Sequence, residues 1–323
     1  MKPTRPHLNQ IESLRAIAAF AVAVFHFSAY FYWSDSAVEN FKLGAQGVEL
    51  FYFISGFIIT YSLFHSSYSI KDYFKYLGKR FSRLMPPYIV TIILIQIIGI
   101  LFCTYLWGCD HDINFRQIII NIFFLADAFP NYDWINPIFA TLEVEVQFYL
   151  LIAIVFPLFK INQWFIVIFG LALIIPGIFF NEFDTVFYNA SYFCSGIALF
   201  HIYQKISLPA SYTLLALSLI TIFQFYQWYD LLPVLIGIAF IFIIPSQTKF
   251  LSLSGKISYS YYLVHGIAGG WFLFFTKNSD FAISNPWLMI LFAMIISWIA
   301  AFCLFWIIER PSMKLSRRIK YSK

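Results

Sequence analysis

Two residues in the first apolar run of this chain carry chemistry that hydrocarbon does not accept without a reason. Arg15 and His26 stand eleven positions apart in Leu14 to Phe31, where the other positions are apolar or small. An ionisable side chain in lipid costs several kcal/mol unless a partner or a wet cavity receives it. Helical rise separates the two by about 16 Å, so with Arg15 at one membrane surface His26 is expected near the bilayer midplane. An imidazole held there can take and return a proton near neutral pH. An anchoring arginine and a packed interior histidine account for this pair equally well on its own.

Further ionisable groups sit in other apolar runs. Glu49 enters the second run in Gly47 to Gly56, Glu143 and Glu145 lie in Thr141 to Tyr149, and His265 closes Ile257 to His265. On a helix, residues 143 and 145 point about 160° apart, so one should face a cavity and the other a neighbouring helix. Glu145 is expected about 10 Å below the outer surface. A single buried glutamate or histidine is readily an interior hydrogen-bonding group. Four such residues at compatible depths favour a polar cavity, and with it catalysis or transport. Cys103, Cys109, Cys194 and Cys303 show no metal-ligand spacing and are read as packing residues, so no metal is expected.

The elements that position these residues must be membrane helices. With 61% hydrophobic and 11% charged residues, 323 residues cannot cover a water-facing globule. Ten apolar stretches are long enough to span or nearly so: 14–31, 48–64, 88–107, 138–159, 164–180, 188–203, 212–227, 231–244, 257–275 and 287–308. The stretch Phe115 to Phe129, opening with Arg116 and containing Asp127, is read as re-entrant or interfacial. Ten crossings leave 17 of the 21 basic residues on the side of both termini, which the positive-inside rule makes cytoplasmic. An eleventh would spoil that bias. The net charge of +5 therefore reflects loop asymmetry and the basic tail 310–323, and argues for anionic lipid and against nucleic acid. The first run fits a retained helix, not a cleaved signal. No repeat or second domain is evident, so residues 1–323 read as one all-α, polytopic helix bundle.

Between the second and third runs, Ile70 to Leu84 reads as an amphipathic helix on the membrane, stopped by Pro86-Pro87. Lys71, Lys75 and Lys79 are expected to anchor it to lipid headgroups. Arg80 and Arg83 lie where it meets the next span and are candidates for forking onto phosphates.

Taken in order, these features resemble the membrane-bound acyltransferase-3 family over nearly the whole chain, from Leu14 to Pro311. The carrying motifs are the Arg15 to His26 spacing, Gly47 to Thr60, Arg80 and Arg83 before Pro86, Leu142 to Tyr149, Ile257 to His265 and Glu309-Arg310-Pro311. Ala140 departs from the tryptophan that often opens the fourth-helix motif. No extracytoplasmic hydrolase-like domain is appended, so a stand-alone transferase is expected. The resemblance implies transfer of an acyl group, commonly acetyl from acetyl-CoA, to a cell-envelope or secreted glycan in the bacterial inner membrane. O-antigen, capsule, exopolysaccharide and a lipid-linked precursor all suit as acceptor. On this reading Arg15, Arg80 and Arg83 hold the donor phosphates and His26 is the general base. Glu145 is its preferred orienter, Glu49 the second choice, and His265 joins the catalytic set. Aromatic residues near the outer ends, among them Tyr30, Tyr32, Trp33 and Trp134, suit sugar stacking or an interfacial belt. A proton-coupled transporter or flippase of a glycan or acyl carrier is the rival, but no duplicated halves are present to favour it.

Overall fold

The computed structural model describes residues 9–31, 33, 41–103, 108, 113–129, 131–179, 185–244 and 248–322, and among them only helices, turns and loops occur. The longer helices are α1 (Asn9–Ser28), α2 (Gly47–Phe64), α3 (Tyr73–Phe102), α5 (Phe139–Phe159), α6 (Phe165–Phe179), α7 (Ala190–Tyr203), α8 (Leu208–Phe225), α9 (Leu232–Phe242) and α14 (Pro286–Leu304). Short ones complete the set: α4 (Phe115–Ile122), α10 (Lys249–Lys256), α11 (Ser258–His265), α12 (Trp271–Thr276), α13 (Asp280–Ser284) and α15 (Arg310–Arg318). Wider π turns follow α11 at Gly266–Gly270 and α14 at Phe305–Glu309.

Six helical segments among the described residues are long and apolar enough to cross a membrane: 9–28, 43–64, 70–102, 139–159, 208–225 and 286–318. Phe165–Phe179 and Trp228–Phe242 are apolar but shorter. Among the described residues each of the ten apolar stretches overlaps a helix, but only six helical segments have a span's length. Asp35, Glu39, Cys109, Asp110, Asp112, Glu182, Asp184 and Tyr32 lie outside the described residues.

Lipid tails are as apolar as leucine, so helices in a bilayer associate where small residues let backbones approach. The α2–α7 seam shows this most clearly. A Cβ at Gly56 would stand 2.1 Å from the Phe193 carbonyl oxygen, and one at Gly196 would stand 2.1 Å from that of Phe53. Around this seam Phe53, Phe57, Phe148, Phe193 and Phe200 form one buried aromatic core. A second core joins α1 to α11 and α14 through Phe27, Tyr261, Leu263, Ile290 and Ala293. The candidate residues lie between the two cores, on α1, α2, α3, α5 and α11.

Pro86 and Pro87 do not end the amphipathic helix: they lie inside α3, which continues to Phe102. In apolar surroundings an open turn would leave several backbone groups unpaired, a larger cost than the bonds two prolines remove. Side chains help at this point, since Tyr259 donates to the Leu84 carbonyl at 2.9 Å and Thr91 to that of Pro87 at 2.8 Å. The 33 residues from Ile70 to Phe102 exceed what a hydrocarbon core requires, so the basic first third projects beyond it.

Within α1, Arg15 lies about 9 Å along the axis from Asn9 and His26 falls in the last turn. The segment 115–129 makes one short helix and a run of turns, with Trp134 donating to Asp127 at 2.8 Å, and does not cross.

Candidate active site

Arg15 is the meeting point of three cavities. The largest, about 650 Å³, opens at the end of the bundle where α1 begins and α15 ends; its wall includes Arg15, Arg80, Arg83, Ile58 and Tyr61. A small compartment of about 40 Å³ comes next, walled by Arg15, Arg80, Arg83, Glu145, Tyr149 and Tyr259. A third of about 50 Å³ is walled by Arg15, Ser55, Glu145, Ser258 and Tyr262. The inner two hold little more than a water or two each, so the passage beyond Arg15 is narrow.

Arg15 and Arg80 are held by the fold. Arg15 Nε donates to Ser258 Oγ at 3.1 Å, tying α1 to α11. Just before α11, α10 comes close to α1 because position 255 is glycine, where a Cβ would stand 1.8 Å from the Glu12 carbonyl oxygen. Arg80 lies between the rings of Tyr76 and Tyr149, 5.4 and 5.5 Å from their centroids, which orients its guanidinium without a carboxylate. Arg83 keeps a buried Nε that no group among the described residues accepts.

The two glutamates of α5 do face apart. Glu145 lines both inner compartments, and its Oε1 accepts from Ser55 and from Tyr149, each at 2.5 Å. Glu143 is buried on the other side, where it accepts from Gln147 at 3.1 Å. Glu49 sits in the first turn of α2, within electrostatic reach of Tyr192 on α7.

The histidines meet each other. The rings of His26 and His265 lie 5.3 Å apart between centroids, bringing the last turn of α1 against the end of α11. Only a donor can face a carbonyl, so His265 Nδ1–H donates to the Tyr262 oxygen at 2.8 Å; this sets the tautomer and leaves Nε2 as a buried acceptor with no partner among the described residues. Phe27 and Tyr261 flank the same ring at 6.0 and 6.2 Å. No hydrogen bond among the described residues joins His26 to Glu145, the orienter expected from the sequence. One helix position fixes a direction, but only the packing of three helices fixes which groups meet.

Tyr262 separates the imidazole pair from the innermost compartment: it lines that compartment, shares a hydrogen bond of 2.6 Å with Thr141, and stands 5.8 Å from the His265 ring. Beyond the pair, at the opposite end of the bundle, a cavity of about 290 Å³ is walled by Tyr30, Gly266, Trp271 and Phe274. A neighbour of about 330 Å³ shares Tyr30 and adds Phe31, Lys277 and Asn278. Gly266 follows His265 directly, so space approaches the histidines from both ends. Trp33 packs on Phe41 and Trp287 at 4.8 and 4.9 Å and is occupied structurally.

Several participants were not singled out from the sequence: Ser55, Tyr149, Ser258, Tyr259 and Tyr262. Their only signal is a hydroxyl inside an apolar run, within about a turn of an ionisable residue for all but Ser55. Glu309, named in the sequence only as part of a motif, joins the site too. It is wholly buried, accepts from Ser260 at 2.7 Å, and lies within electrostatic reach of Arg15.

The chain belongs to the acyltransferase-3 family, whose acyltransferase-domain model matches residues 8–306. No curated protein and no solved structure matches it. With its long apolar helices, it is a membrane acyltransferase.

Proposed function

We propose that this chain is an integral membrane O-acyltransferase that moves an acetyl group from cytoplasmic acetyl-CoA to a hydroxyl of a cell-envelope or exported glycan, with His26 as general base. The observation that carries this reading is a path of three successive cavities that share Arg15: a wide mouth ringed by basic residues, then two small compartments, the innermost walled in part by Tyr262, which stands against the paired histidines. A thioester on a long unbranched arm suits that path, with its phosphates left at Arg15, Arg80 and Arg83.

In this scheme the acceptor hydroxyl gives its proton to His26 as its oxygen attacks the thioester carbonyl carbon. Collapse of the tetrahedral intermediate breaks the carbon–sulfur bond, and the proton returns to the leaving sulfur, so ester and free thiol are the products. A covalent acetyl-histidine intermediate fits the same residues. His265, fixed by its bond to the Tyr262 carbonyl, positions the His26 ring in place of a carboxylate. Glu145, which lines both inner compartments with Arg15, sets the charge along the passage, and Glu49 in the first turn of α2 remains the second carboxylate of the set. The aromatic cavities at Tyr30 and Trp271 lie where an acceptor sugar arrives from the opposite side.

Ten crossings, cytoplasmic termini and residence in a bacterial inner membrane complete the proposal. The acceptor is O-antigen, capsule, exopolysaccharide or a lipid-linked precursor. Membranes carrying the protein or its His26→Ala variant, given acetyl-labelled acetyl-CoA and host glycan, test it. Label should enter alkali-labile ester with wild type alone. Full transfer by the variant overturns the role of His26, and no transfer by inserted wild type with verified acceptor overturns the donor.

A further inference from the structure

The large cavity is not lined by the sequence-predicted arginines alone. Its opposite wall comes from the last helix: Arg310, Lys314 and Arg317 of α15, with Lys256 at the end of α10. Seven basic side chains thus surround it, against one carboxylate, Glu12. That carboxylate is already engaged, by Ser252 at 2.5 Å and Lys256 at 3.9 Å. Such a surplus around a bounded volume recognises clustered phosphate groups, which bring several charges and many acceptor oxygens.

The wall is also latched in place. Ser316 donates to the Lys79 carbonyl at 2.6 Å, fastening α15 to α3. Past the helix the chain folds back, and Tyr321 packs on Tyr68 at 5.5 Å beneath the Lys79 ammonium, 5.2 Å from its ring. Ser322 then caps the contact: its N–H donates to Asp72 at 2.9 Å while its hydroxyl meets Lys75 at 2.5 Å. Asp72, 1% exposed, is the anchor of that closure. These bonds join the last helix to the very turns of α3 that present Arg80 and Arg83.

We propose that α15 supplies the second half of a phosphate-binding site, with Lys314 and Arg317 completing what Arg80 and Arg83 begin, and that the Asp72–Ser322 latch holds the two halves in register. This rests on the acetyl-CoA reading and deepens it. Two arginines suffice for a pyrophosphate, so the additional wall receives the separate 3′-phosphate of the nucleotide. Anionic lipid headgroups present the same chemistry, and the test separates the two sources.

The full-length protein is purified in detergent, and its binding of CoA and of dephospho-CoA, which lacks the 3′-phosphate, is measured. Wild type should prefer CoA by about tenfold. The double variant Lys314→Gln/Arg317→Gln should lose that preference by weakening CoA binding alone, with its melting temperature unchanged. Asp72→Asn, which touches no part of the cavity, should raise KM for acetyl-CoA several-fold at unchanged kcat. Equal CoA affinity in wild type and the double variant overturns the role of α15 and leaves the acetyl-CoA reading standing. A fall in kcat without change in KM for Asp72→Asn overturns the latch. No CoA binding by wild type, with variant-sensitive binding to nanodiscs containing phosphatidylglycerol, keeps the phosphate site, assigns it to lipid and overturns the donor reading.

Discussion

Alanine at Gly196 tests how the α2–α7 seam controls the site. The added Cβ would stand 2.1 Å from the Phe53 oxygen and 2.8 Å from the Phe57 nitrogen, both backbone atoms that no rotamer change can move. Ordinary contact begins at 3.4 Å, so the helices must part locally by about 1.3 Å. Overpacking against a flexible side chain costs about 1 kcal/mol, and against backbone the upper figure of about 3 kcal/mol applies. At this chain length that lowers the melting temperature in detergent by about 5 °C. Ser55 stands next to Gly56 on α2, and its bond to Glu145 is only 2.5 Å long, so a shift of this size carries it out of hydrogen-bonding reach. Gly196→Ala should therefore lose transferase activity beyond what its reduced folded fraction explains. Gly78→Ala is the matched control, since its nearest neighbour is the Ile319 side chain at 3.8 Å. It should be neutral or slightly stabilising, as alanine in a helix interior is better than glycine by about 1 kcal/mol. A Gly196→Ala protein with wild-type melting temperature and activity would refute this account of the seam.

Ser55→Ala and Tyr149→Phe each remove a donor from Glu145 Oε1, and each should lower kcat/KM about tenfold; because both act on one oxygen, the double variant should fall short of the product, as a double-mutant cycle reads. Arg15→Lys keeps the charge but loses the Nε bond to Ser258, so KM for the donor should rise about tenfold, and an unchanged KM would remove Arg15 from the phosphate path. Asp72 is held well below the usual carboxylate range, chiefly by the Ser322 N–H and then by the Ser322 hydroxyl, Lys75 and Ser69. A depressed folded pKa gives stability that is fully present above the unfolded value of about 4 and is lost as pH falls through the folded one. The melting-temperature gap between wild type and Asp72→Asn should accordingly stay constant from pH 8 to about 5 and close only in stronger acid.

What the sequence shows and what it hides follow from the kind of physics involved. The all-helical class was legible because lipid enforces it, and a helix fixes direction, so the opposed aims of Glu143 and Glu145 could be read from two positions. Which group meets which was not legible. Glu145 pairs with Ser55 across the α2–α5 contact and with Tyr149 one turn along its own helix, while α11 delivers His265 to the end of α1 beside His26. Pro86-Pro87 misled for a related reason. The cost of a proline inside a helix is local, about 3 kcal/mol, whereas the cost of an open turn in an apolar bundle is shared with neighbours such as Tyr259, which sequence distance conceals. The last helix was hidden most completely. Read alone, its basic residues are a lipid-facing tail. The contacts that fasten α15 and the segment after it to α3, Ser316 to Lys79 and Ser322 to Asp72 across 250 positions, place Lys314 and Arg317 on the same cavity as Arg80 and Arg83. A charge pattern has a meaning only once the fold decides whether it faces a surface or encloses a volume, and here it encloses one.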